Sequence, residues 1–141
     1  MNDADVFPTV LRALSVSPLW SWDAPPILWA LLSEDPVIIT PAIILPDLET
    51  LIPFAMHWRE HLTAGEKDVP VETLALTVEG SMHFPDGREQ DFRDAIVIHK
   101  DGGMSMFRHM RQSGDMVELD PTNQMLAAVE AMREVGASSW H

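Results

Sequence analysis

The stretch "ETLALTVEGSMHF", Glu72 to Phe84, constrains the fold more than any other, because its side chains alternate in character. Leu74, Leu76, Val78, Met82 and Phe84 share one face, with Thr73, Thr77, Glu79 and His83 on the other. A period of two is that of a half-buried strand, with Gly80 a place for a bulge. The tripeptide "PDG", Pro85 to Gly87, reads as a hairpin turn, and "DAIVIHKDGG" as a second strand followed by a turn at Asp101 and Gly102. "MSMFRHMRQSGD" reads as a third strand with its own turn, and Met116 to Leu119 as a possible fourth. Turns this short join only antiparallel neighbours, so residues 70–119 are expected to form a β-meander of three or four strands.

The first half has a different texture. Pro18, Pro25, Pro26, Pro36, Pro41, Pro46 and Pro53 are seven of the chain's 11 prolines, interleaved with Trp20, Trp22, Trp29 and many aliphatic residues. Flexible linkers are polar, and this segment is not. Asp3 to Leu14 carries Val6, Phe7, Val10, Leu11 and Leu14 at helical spacing, which predicts a short N-terminal helix. "APPILWALLSED" reads as a second helix beginning at Pro26, with Ile27, Leu28, Leu31 and Leu32 on one side. "PVIITPAIILP" is β-branched but interrupted by proline, so it can supply at most an edge strand or an extended arm. Asp47 to Ala64 is expected to be a longer helix, capped by Asp47, closed by Gly65, and kinked or started late at Pro53.

At the other end, Asp120 as N-cap, Pro121 at the first helical position, an apolar stripe of Met125, Ala128, Val129 and Met132, and Gly136 beyond it punctuate a C-terminal helix. The expected architecture is one α+β domain over residues 1–141. A helical, Pro/Trp-rich layer (1–66) and a C-terminal helix (120–136) pack on an antiparallel three- or four-stranded meander (70–119).

Composition narrows the classes of function. The chain has 141 residues and no cysteine, so disulfides, zinc ribbons, iron–sulfur clusters and thiol catalysis are excluded. A formal charge of −13 repels phosphate backbones and anionic headgroups, which argues against nucleic acid and membrane surfaces as partners. The acidic N-terminus "MNDADVFPTV" lacks the basic region of a secretory signal, and the longest uncharged apolar run, Pro36 to Pro46, is too short to span a bilayer. A cytoplasmic protein is expected.

Two groups of residues could carry chemistry. His57, Glu60 and His61 have the spacing H-x-x-E-H, with which a helix can offer zinc two imidazoles and its bound water a carboxylate. On a continuous helix, however, His57 and His61 lie opposite the apolar stripe of Leu48, Leu51, Ile52, Ala55 and Leu62. A zinc-dependent hydrolase is therefore an alternative, and a polar helix face with neither metal nor cofactor is preferred. His83, His99 and His109 come one from each successive strand and could meet on one face with Arg93, Arg108 and Arg111, in position to bind an anion or an acidic partner strand. The plainer reading pairs those arginines with Asp91, Asp94 and Glu118 across the ladder.

No G-x-S-x-G elbow or phosphate-cradling loop is present. The leading expectation is a non-catalytic interaction protein that self-associates as a homo-oligomer, with Trp20, Trp22, Trp29, Ile38, Ile39, Ile43 and Ile44 at the contact. A second alternative is an acidic mimic of DNA.

Overall fold

The computed structural model describes residues 10, 12–14, 17, 20–34, 37–69, 71–100, 103–119 and 129–136. Six strands are present: β1 (Ile27–Glu34), β2 (Val37–Ile44), β3 (Thr73–His83), β4 (Glu89–His99), β5 (Met104–Met110) and β6 (Met116–Glu118). They form one antiparallel sheet in the order β2-β1-β3-β4-β5-β6. The expected fold class is thereby corrected. Residues 73–118 do form a meander, but the sheet has six strands, and two of them come from the half expected to be helical.

The segment "APPILWALLSED" holds strand β1, not a helix. Ile27, Leu28, Trp29, Ala30 and Leu31 are each no more than 5% exposed, because β1 lies between β2 and β3 with both faces covered. Such a strand has no polar face, so its apolar run matches a buried helix as well as a strand. Strand β2 occupies the edge, the place its prolines allow. The register steps past Ala42, placing a bulge beside Pro41.

Strands β2 and β3 both run antiparallel to β1, so they run parallel to each other and need a crossover. The crossover supplies the helical turns. Asp47 does cap it, accepting the Thr50 N–H at 3.0 Å. The expected helix to Ala64 is nevertheless corrected to three short pieces: 3₁₀ turns at Leu48–Thr50 and Trp58–His61, and an α-helix at Leu51–Ala55. Pro53 cannot supply a helical N–H, and at His57 (φ −116°, ψ 41°) the backbone leaves the helix.

Each face of the sheet has its own core. On the crossover side, Leu51, Ala55, Trp58 and Leu62, with Val129, Met132 and Val135 from helical residues 129–136, cover Leu28, Leu74, Leu76, Ile96, Ile98 and Met106. Burying an aliphatic side chain of this size is worth about 1.5–3 kcal/mol. On the other side, Val10, Leu14 and Trp20 cover Ile27, Trp29, Leu31, Ala75, Ala95 and Val97. The expected N-terminal helix is seen at Val10 and Arg12 to Leu14, and the expected C-terminal helix at 129–136; Asp120, Pro121, Met125 and Ala128 lie outside the described residues. Among the described residues no helix is long and apolar enough to cross a membrane.

Candidate functional site

Alternation along β3, β4 and β5 sets Glu79, Arg93 and His109 in one row across the sheet, on the face that also carries Ala95 and Val97. The segment Trp20 to Pro25 crosses over this row, turning at Asp23 with φ 66°, a conformation that aspartate tolerates better than most residues. Glu79 holds the turn, its carboxylate accepting the N–H groups of Asp23 at 3.0 Å and Ala24 at 3.4 Å. Arg111, just past the end of β5, grips the turn by donating to the two Asp23 oxygens at 3.2 and 3.5 Å.

Between sheet and turn lies Arg93, only 8% exposed. Its guanidinium faces the Trp20 ring at 3.8 Å and the Trp22 ring at 4.6 Å, a desolvated cation held against two π-faces. Arg93 Nε donates to His109 Nδ1 at 3.1 Å, and the His109 ring lies 5.5 Å from that of Trp22. Burial, and then the neighbouring Arg93 charge, hold the His109 pKa below the ordinary histidine value. Burial also lowers that of Arg93, with Glu79 opposing, although an arginine remains charged through such a shift. Among the described residues, Arg93 Nη1 is buried and has no hydrogen-bond partner. Arg93 also lines a half-open cleft with Trp20, Ala24, Pro25, Thr77 and Glu79.

The opposite face of the same strands carries an ion pair between a buried carboxylate and a half-buried arginine. Asp94 is fully buried and accepts from Arg108 Nε at 2.9 Å and Nη2 at 3.1 Å. Arg108 in turn stacks on Phe92 at 3.7 Å. Burial raises the Asp94 pKa, and the Arg108 bonds oppose that rise.

The residues singled out from sequence are redistributed. The three histidines share a face but do not meet: β3–β4 pairing places His83 opposite Glu89 at one end and His99 opposite Thr73 at the other. His109 is opposite Arg93, with six residue steps, about 20 Å, separating that row from His99 along β4. Arg108 points to the other face, as its pairing with Asp94 requires. Of the expected carboxylate pairings, Asp94 takes Arg108, and Asp91 lies 3.8 Å from Arg111. His57, Glu60 and His61 are exposed on a broken helix, and no group of three or more potential metal ligands occurs among the described residues. Trp29 is fully buried and donates its indole N–H to Thr77 Oγ1 at 2.9 Å; Ile43 is 7% exposed. Both belong to the core. Trp20 and Trp22 are half-buried on Arg93.

The remainder of the expected contact surface lies on β2. Ile38 and Ile44 are 48% and 54% exposed, and Ile39 is half-buried. Leu45 N donates to Pro26 O at 2.8 Å, the bond that flanks a non-hydrogen-bonded pair at Ile27 and Ile44. The N–H and C=O of Ile44 therefore point away from β1, along the open edge. No charged residue occurs between Val37 and Ile44. At the other edge β6 has three residues and offers little length for pairing. Comparison of the chain with protein families, with characterised proteins and with solved structures gave no match.

Proposed function

We propose that the protein is a binding domain that associates with a second copy of itself through the β2 edge. The observation that carries this reading is the exposure of Ile38 and Ile44 on an uncharged edge strand of eight residues that nothing covers among the described residues. Soluble proteins ordinarily blunt such an edge with lysine or another charge. Here the protection is limited to Pro41 and the bulge at Ala42, which interrupt pairing in the middle of the strand and leave both ends open.

The choice of partner follows from charge. A chain at −13 attracts basic partners through its acidic surfaces, but β2 offers no charge to a basic strand. A neutral apolar strand suits it better, and its own copy is one. Two β2 strands related by a two-fold axis run antiparallel, and each presents the same groups to the other. The test is the solution mass of wild-type protein beside Ile44→Lys. A wild-type dimer converted to monomer by the lysine supports the reading. A wild-type monomer at high concentration removes it.

A further inference from the structure

We propose that the cleft between the Trp20–Pro25 turn and strands β3 and β4 is a binding site for a small monocarboxylate, held by Arg93. A buried guanidinium with an unused N–H is costly unless something accepts from it, and among the described residues nothing accepts from Nη1. The Nε side is already committed to His109, which fixes the plane of the group and leaves Nη1 as the donor available to a ligand. Trp20, Ala24 and Pro25 give the cleft apolar walls; as it stands it has room for about one water, so a short hydrocarbon tail finds space only as Trp20 moves. Trp20 is half-buried and covers the guanidinium, so entry of the ligand displaces this ring.

Glu79 decides the class of anion. Its carboxylate lines the same cleft, and it acts on Arg93 through its charge. A dianionic phosphate meets stronger repulsion there than a monoanion does, and carboxylate geometry matches an arginine edge. This site lies on a different part of the sheet from the β2 edge and does not depend on self-association.

Propionate titrated into ¹⁵N-labelled full-length protein tests the assignment, with the Trp20 indole and Arg93 Nε resonances as reporters, and inorganic phosphate and methylammonium as comparison titrants. The expected result is a saturable shift of both resonances with propionate alone, and loss of the Trp20 shift in Arg93→Met. Because Arg93→Met also removes the cation on which Trp20 and Trp22 stack, Glu79→Gln provides the second variant. It keeps an oxygen for the Asp23 N–H, gives up the longer Ala24 contact and removes the repelling charge, and it is expected to tighten propionate binding by about tenfold. No saturable shift below about 100 mM propionate, a shift that survives in folded Arg93→Met, tighter binding of phosphate, or an affinity unchanged in Glu79→Gln would each overturn the proposal.

Discussion

Arg93 Nε donates to His109 Nδ1 at 3.1 Å, joining directly opposed residues of β4 and β5 beneath the indole of Trp22. The acceptor nitrogen cannot carry a proton while this bond stands, so neutral His109 holds its proton on Nε2. Protonating Nδ1 breaks the bond and sets two cations against each other in a half-buried site. The folded protein therefore binds this proton more weakly than the unfolded chain, whose reference value is 6.5. Stability from this group is complete above that value and declines as pH falls toward the lower folded-state pKa, with no further loss beneath it. Urea unfolding at about pH 7.5 and about pH 5.5 is expected to show wild type losing more stability on acidification than His109→Gln, which cannot titrate. Equal losses in the two proteins would contradict the link.

On the opposite face, Asp94 depends on Arg108 for both of the hydrogen bonds seen at its carboxylate. Removing the arginine leaves a fully buried carboxylate without its cation, so Arg108→Met is expected to cost about 3–5 kcal/mol in denaturant unfolding. Replacing both partners with apolar residues, as in Asp94→Leu with Arg108→Met, is expected to recover most of that loss. A double variant no more stable than the single one would show that the pair contributes more than mutual neutralisation.

Gly80 lies opposite Phe92 in the β3–β4 register, and a Cβ there would stand 2.7 Å from the tip of the Phe92 ring. The ring has little room to retreat, because the Arg108 guanidinium packs on it at 3.7 Å. Gly80→Ala is expected to destabilise the protein by about 1–3 kcal/mol, with Phe92→Leu in the same chain relieving the clash. Thermal unfolding of wild type, Gly80→Ala and the double variant is the check.

How much of this was legible in the sequence varies by segment. The alternation of Val78 and Met82 against Glu79 and His83 is readable because the distal part of β3 has a solvent face, whereas Thr73 and Thr77, which continue the polar side in sequence, are buried. Strand β1 gives no such signal: Leu28 and Trp29 point to opposite faces and both are fully buried, so periodicity cannot separate strand from helix. The H-x-x-E-H spacing makes a helical site only on a helix continuous through His57, and there the backbone turns away. For the Arg93 site, the row with His109 was within reach of strand parity. Its cover of Trp20 and Trp22 was not, since no local pattern links a proline-rich turn to a strand so far along the chain. The contact surface read from composition divided on the same ground. Burial assigns Trp29 and Ile43 to the core, and exposure leaves Ile38 and Ile44 on the edge.

Self-association through β2 is tested most directly by sedimentation equilibrium of the untagged protein over about 1–100 μM, with Ile38→Lys/Ile44→Lys run alongside. The expected result is wild type at the mass of two chains of 15.8 kDa and the double variant at one, with both folded by circular dichroism. Wild type at the mass of one chain throughout, or a dimer that the two lysines leave intact, would contradict it.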